Sequence, residues 1–141
     1  MLRQSRDFSS ELTQLAEMRR FVRESCEQVW PNDTSPAVLD EIELALQEAA
    51  ANVVRHAYAN ESGRPIRLDL AVDEDELELT LLHQGCDFDP ETVPPPSFDG
   101  SRTGGFGIHL IRQLMDDVCY LHGDTGCGVR MRKRRVARTG A

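Results

Sequence analysis

Residues 44–58 read LALQEAAANVVRHAY, and the prediction of the fold starts from this stretch. Its apolar residues recur at three- and four-residue steps, which indicates an amphipathic helix with one buried side. Upstream, Ser35 suits the N-cap position and Pro36 suits the first helical position. We therefore expect one helix from Pro36 to about Tyr58.

Three polar residues of this helix share one side of it. Glu48, Asn52 and His56 are spaced at i, i+4 and i+8, so they lie along one face next to the buried stripe. Polar groups partly removed from water need partners. The trio either forms a binding site or consists of ordinary solvated positions, and its spacing alone does not decide between them.

The segments on either side of this helix have clear periodicities. Apolar residues at helical spacing predict a helix over residues 10–30, which Pro31 ends. Alternating apolar residues predict an antiparallel pair of strands over 66–72 and 77–82, joined at the acidic stretch 73–76. A third helix is expected to open near Gly107, followed by two closing strands at about 118–122 and 129–134.

Three helices and an antiparallel sheet are most simply combined as a two-layer α/β sandwich. A chain of 141 residues fits one domain, so residues 1–141 are predicted to form a single unit.

A glycine-rich segment precedes the third helix. Residues 104–111 read GGFGIHLI, so Gly104, Gly105 and Gly107 run into a helix start. Glycines allow backbone N–H groups to approach a phosphate, and a helix start adds unpaired donors. The alternative is a loop that needs glycine only for its conformation, and no Gly-Lys-Ser/Thr follows to mark a P-loop.

A second loop follows the predicted strand pair. Residues 83–90 read HQGCDFDP, where Gly85 permits close backbone approach to a ligand. From residue 83 to residue 105 the chain loses its periodicity, and loops of this length in compact domains usually serve function.

Charge and cysteine content exclude several classes of function. The formal net charge is −8, which argues against attraction to nucleic acid or to an anionic membrane. The basic run at residues 130–138 is interpreted as a solvated last strand and a frayed tail. The four cysteines have no metal-binding spacing, so they are expected to be reduced thiols in the cytoplasm. Residues 1–10 lack the apolar core of a signal peptide.

In this order and spacing, the three segments resemble the N-box and the two glycine boxes of the GHKL ATPases. Residues 44–58 and 104–114 are most similar to those of anti-sigma-factor serine/threonine kinases of the RsbW and SpoIIAB type. The resemblance covers almost the whole chain and implies the GHKL (Bergerat) form of the α/β sandwich.

The resemblance implies a role for each matching residue. Asn52 would ligate the Mg²⁺ ion that bridges the phosphates of ATP, and Glu48 would act as general base. Residues 94–103 would form a short lid over ATP. The remaining residues implied to line the nucleotide site are Arg55, His56, His83, Gly85, Thr103, Gly104, Gly105, Phe106 and Gly107.

The sequence departs from the family at His83, where the family normally has an Asp that accepts a hydrogen bond from the adenine amino group. A neutral imidazole accepts only one bond and is bulkier than a carboxylate. Asp87 also stands where the family usually has a small residue or proline.

Two functions are therefore weighed. In the first, the chain phosphorylates a Ser or Thr of an anti-anti-sigma antagonist with a STAS domain and, in another complex, sequesters a sigma factor. In the second, it is a degenerate GHKL module that binds partners without transferring phosphate. A histidine-kinase catalytic domain fits less well, because no dimerisation helices precede the domain and the lid is short. The resemblance also implies that the protein forms homodimers.

Overall fold

The computed structural model describes residues 1–87, 89–90, 106–123 and 126–138. Its five strands are β1 (Leu2–Ser9), β2 (Pro65–Val72), β3 (Glu76–His83), β4 (Asp117–Gly123) and β5 (Gly126–Arg134). Its three α-helices are α1 (Leu15–Val29), α2 (Pro36–Asn52) and α3 (Phe106–Leu114). The predicted two-layer α/β sandwich is confirmed.

The sheet is antiparallel throughout and has the order β1-β2-β3-β5-β4. The predicted β2–β3 pair is present, and the two predicted closing strands, β4 and β5, pair with each other. The last strand of the chain lies inside the sheet, where it pairs with β3 on one side and with β4 on the other.

One face of the sheet packs against the helices, and α2 contacts both α1 and α3. The core is formed where the apolar stripes predicted from the sequence meet. Its most deeply buried side chains are Met18, Val22, Ile42, Leu46, Ile66, Leu68, Val72, Leu77, Leu79, Leu81, Ile111 and Met131.

The first strand, β1, was not predicted. Only Leu2 and Phe8 are apolar at its inward positions, while Gln4 and Arg6 occupy the positions between them, so the alternation is hidden. The polar members nevertheless have partners in the helical layer: the Ser25 hydroxyl donates to Gln4 at 3.1 Å. The Arg6 guanidinium lies 5.8 Å from the ring centroid of Phe21 in α1.

Two helix boundaries differ from the prediction. The helix expected from residue 10 begins with a 3-10 turn, Leu12–Gln14, and becomes α-helical at Leu15. The helix expected to reach Tyr58 is α-helical only to Asn52 and ends in a π-helical turn, Val53–Ala57. Ser35 occupies the N-cap, but its side chain makes no capping hydrogen bond.

The segment after β5 is not a frayed tail, which corrects the interpretation of the basic run. Arg135 pairs with Asp33 and donates to the hydroxyl of Thr34, the latter bond being 2.8 Å long. The Val136 carbonyl accepts from the backbone N–H of Ser35 at 2.7 Å. These bonds tie the segment to the connection between α1 and α2.

The expectation that all four cysteines are free thiols is also wrong. Cys86 and Cys127 form a disulfide with a Cα–Cα distance of 5.7 Å, whereas Cys26 and Cys119 are free. A pairing across 41 residues depends on which strands are neighbours, and the spacing of cysteines does not contain that information.

Among the described residues, no helix is both long enough and apolar enough to span a membrane.

Candidate functional site

The polar face of α2 meets the start of α3. Glu48 and Asn52 lie one turn apart and are half-buried. A Cβ atom added to Gly107 would lie 2.8 Å from Glu48 Oε2 and 3.7 Å from Asn52 Oδ1. Glycine at this position therefore lets the first turn of α3 approach both side-chain oxygens, so these three predicted site residues lie together.

The π-helical turn separates the other predicted residues of this helix from that pair. Arg55 and His56 lie within the turn and are exposed. The placement of His56 on the same face as Glu48 and Asn52 remains a prediction.

Tyr58 follows this turn and holds the end of β3 in place. Its buried hydroxyl donates to the Pro65 carbonyl at 2.6 Å and accepts from the backbone N–H of Gln84 at 2.8 Å. The ring meets the imidazole of His83 edge-on, with ring centroids 5.9 Å apart. No sequence motif marked Tyr58 as a support of the site.

His83 ends β3, and its ring is oriented by a backbone donor. The backbone N–H of Gly85 donates to His83 Nδ1 at 3.1 Å. Burial lowers the pKa of His83, and the nearby His122 lowers it further. The ring is therefore neutral at pH 7, and since Nδ1 accepts a hydrogen bond, the proton resides on Nε2.

Gly85 has a packing role in addition to the one predicted. A Cβ atom at this position would lie 2.4 Å from the carbonyl oxygen of Ala57, which is a backbone atom that cannot move aside easily. The missing side chain lets the loop after β3 pass closely over the end of the π turn. The predicted close approach to a ligand remains a prediction.

These elements surround a small pocket that is open to solvent. Asn52 and His83, both predicted from the sequence, line it together. Sequence reasoning missed the wall made by β4 and β5, because these strands are not marked by any motif. The other lining residues are Ala49, Val53, Pro90, Ile111, Tyr120, Leu121, His122, Cys127, Gly128 and Val129.

Several predicted residues fall outside the described part of the chain. Thr103, Gly104 and Gly105 do so, as does the lid expected at residues 94–103. Phe106 begins α3, but its side chain is not described. Their roles remain predictions.

The side-chain oxygens on the polar face of α2 suit a hard metal ion that is also bound by phosphate oxygens. Glu48 and Asn52 present a carboxylate and an amide oxygen, the ligand types that Mg²⁺ prefers. Within the described ranges, no three His, Cys, Asp or Glu side chains cluster as a metal site. This set fits an ion that takes most of its ligands from water and substrate phosphates, as Mg²⁺ commonly does.

The chain resembles known proteins over this same framework. Residues 8–133 match the family model of the histidine kinase-like ATPase domain. A serine-protein kinase RsbW from Listeria monocytogenes serotype 4a is 35% identical over 103 residues, which cover 67% of this chain and 65% of that protein. The RsbW of Oceanobacillus iheyensis is 33% identical over 88 residues, which cover 57% and 56% of the two chains.

The matched segments thus span between about half and two thirds of these relatives. In fold, the chain is similar to a crystal structure of the RsbU and RsbW domains of Rv1364c from Mycobacterium tuberculosis. The TM-score is 0.67 and the identity 16%, and the match covers 100% of this chain and 35% of that one.

Proposed function

The chain belongs to the histidine kinase-like ATPase family, and from this membership we propose that it is a protein serine/threonine kinase that binds Mg-ATP. We propose further that it phosphorylates a Ser or Thr of a STAS-type anti-anti-sigma antagonist and, in a second complex, sequesters a sigma factor. The RsbW relatives carry the name serine-protein kinase, which supports this assignment.

The observation that carries the proposal is the convergence of Glu48 and Asn52 on Gly107. In the proposal, the backbone N–H groups at the start of α3 bind phosphate, because they are unpaired donors at the positive end of the helix. Asn52 would hold Mg²⁺, which when bound neutralises phosphate charge. Glu48 would accept the proton of the attacking hydroxyl.

The remaining features of the proposal follow from the resemblance. The nucleobase would occupy the pocket beside His83, and Arg55, His56 and residues 103–107 would line the rest of the nucleotide site. The protein would act in the cytoplasm as a homodimer. It would contact the antagonist and the sigma factor rather than nucleic acid or membrane.

The second candidate is a partner-binding module that transfers no phosphate. The tautomer of His83 favours it, because Nε2 offers the pocket a donor and Nδ1 is already occupied by Gly85. In the family, an Asp at this position accepts a hydrogen bond from the adenine amino group. With His83 in its place, that acceptor is lost. Partner binding would then continue with weak nucleotide binding or none.

Two measurements separate the candidates. Thermal unfolding with and without Mg-ATP reports binding, because a ligand that binds the folded state raises its stability. Transfer of labelled γ-phosphate to a STAS-type antagonist reports catalysis. Glu48→Gln should keep the ATP-induced shift and reduce transfer by about 10²- to 10⁴-fold, the usual contribution of a general base.

Glu43→Gln is the matched control, because Glu43 lies on the same helix but pairs with Arg23 instead of facing α3. It should leave both measurements unchanged. Binding of the antagonist by the wild-type protein, with no ATP-induced shift and no phosphate transfer, would support the second candidate. If the protein binds neither the antagonist nor ATP, both candidate functions are contradicted.

A further inference from the structure

The disulfide between Cys86 and Cys127 lies at the wall of the nucleotide pocket. Cys127 lines the pocket and is only 4% exposed. In the sheet it is paired with His83 of β3 and with His122 of β4, both of which also line the pocket. Any change at this sulfur therefore occurs within the proposed base-binding site.

The two sulfurs differ in their access to solvent. Cys86 is exposed in the loop that follows β3, whereas Cys127 is buried in β5. External thiols and disulfides can reach only the Cys86 side of the bond, since thiol–disulfide exchange depends on access to the attacked sulfur. This asymmetry is the arrangement expected of one exchanging and one resolving cysteine.

The bond also anchors the segment directly after β3, residues 84–87, to β5. The backbone N–H groups of Gln84 and Gly85 also hold this segment, donating to Tyr58 and His83. Beyond it, the Asp89 carboxylate lies 3.8 Å from His122 Nε2 of β4. The disulfide adds a covalent attachment to β5, and so fixes one side of the pocket to the other.

We propose that Cys86 and Cys127 are a reversible redox pair that controls nucleotide affinity, with the disulfide form binding Mg-ATP more tightly than the dithiol form. The proposal rests on the proposed nucleotide-binding function. Residues 84–87, which the bond fixes to β5 beside the pocket, lose less conformational freedom when a nucleotide binds, and preorganisation of this kind raises affinity.

The exchange chemistry balances with a small-molecule disulfide as oxidant. The Cys86 thiolate attacks one sulfur of that disulfide and releases one small thiolate, giving a mixed disulfide. The Cys127 thiolate then attacks Cys86 Sγ and releases the second small thiolate. The two cysteines lose two electrons and two protons in total, and the oxidant gains them as two small-molecule thiols.

The other two cysteines provide internal controls. Burial, with a contribution from the charge of Glu27, raises the pKa of Cys26 to about 12, so this thiol stays protonated and unreactive. Cys119 lies on β4 and is free. Two of the four cysteines should therefore remain as thiols after oxidation.

The test compares the full chain after treatment with glutathione disulfide and after treatment with dithiothreitol, each followed by removal of the reagent. Thiols are counted in denaturant, and the Kd for Mg-ATP is measured by calorimetry. We expect two thiols after glutathione disulfide and four after dithiothreitol. The Kd for Mg-ATP should be about tenfold lower in the oxidised form, because the fixed segment loses less entropy on binding.

Cys86→Ser should bind Mg-ATP like the reduced wild type after either treatment, and because Cys86 is exposed, the substitution leaves the core unchanged. Cys119→Ser should respond as the wild type does. Four thiols after oxidation, an unchanged Kd, or tighter binding by the reduced form would overturn the redox proposal while leaving the kinase proposal intact. If neither form binds Mg-ATP, both proposals fail.

Discussion

At the scale of single residues, His83 connects the packing of the domain to the chemistry of its pocket. Tyr58 contacts its ring, Gly85 donates to Nδ1, and the proton is therefore on Nε2. The identity of the residue was visible in the sequence. Its tautomer was not, because the donor is a backbone group whose position depends on the turn after β3.

We predict that His83 makes the domain less stable in mild acid. Its pKa in the folded protein lies below the ordinary value of 6.5, so the unfolded chain binds a proton more readily. Stability contributed by the neutral ring is fully present above pH 6.5. It is lost as the pH falls from there through the lower folded pKa.

The measurement is the free energy of unfolding in urea at pH 7.5 and pH 5.5, values chosen to be about one unit either side of the ordinary pKa. His83→Asn should lose less stability between these conditions than the wild type, and Asn still offers an acceptor to Gly85. His56→Asn serves as the control, because His56 is exposed. An equal acid response in wild type and His83→Asn would contradict the assignment.

For the other site residues, local sequence patterns predicted some positions and missed others. Glu48, Asn52 and Gly107 were predicted from helix spacing and from glycine before a helix, and they do lie together. The π-helical turn that contains His56 was not predicted, because the same spacing rule assumes a uniform α-helix. Tyr58 and the residues of β4 and β5 were missed, since their positions depend on strand order rather than on any local pattern.

At the scale of elements, the Lys133 side chain of β5 binds the C-terminal end of α3. The Lys133 ammonium lies under the last turn of α3, where it donates to the Leu114 carbonyl and pairs with Glu41 of α2 at 3.0 Å. Lys133 is 9% exposed. One cation thus connects the two helices that form the candidate site with the sheet.

We predict that Lys133→Met reduces the free energy of unfolding by about 1–3 kcal/mol, because it leaves the Leu114 carbonyl and Glu41 without this partner. Arg134→Met is the control, since the neighbouring side chain is exposed on the same strand; it should change stability by less than about 0.5 kcal/mol. Urea unfolding measures both. Similar losses in the two variants would show that Lys133 does not hold α3.

Periodicity predicted most elements correctly but not their ends. The helical and alternating stripes identified α1, α2, α3 and both hairpins. The polar inward residues of β1 concealed a strand, because an edge strand needs fewer apolar residues than a central one. No residue type in the sequence signals the change from α-helical to π-helical geometry after Asn52.

At the scale of the whole molecule, the segment after β5 returns to the helical layer. Arg135, Val136 and Arg138 are bonded to residues 33–35 between α1 and α2. Composition alone suggested a solvated basic tail. The partners that hold it are about 100 residues away in the chain, so no local pattern reveals them.

We predict that removing residues 135–141 lowers the free energy of unfolding by about 2 kcal/mol, because several hydrogen bonds and an ion pair are lost together. Removal of residues 139–141 alone keeps every contact described for this segment and should have little effect. Urea unfolding of the two truncated chains compares them. Equal stability of both would restore the interpretation of a frayed tail.

The order of strands also bears on how the protein is made. During synthesis, β1, β2 and β3 leave the ribosome first and can pair in sequence, but β5 is the strand that joins them to β4. Until residues 126–134 have emerged, β3 keeps an unpaired edge that can template aggregation. We therefore expect a nascent chain in which β5 has not yet been synthesised to aggregate more readily than one in which β5 has paired with β3.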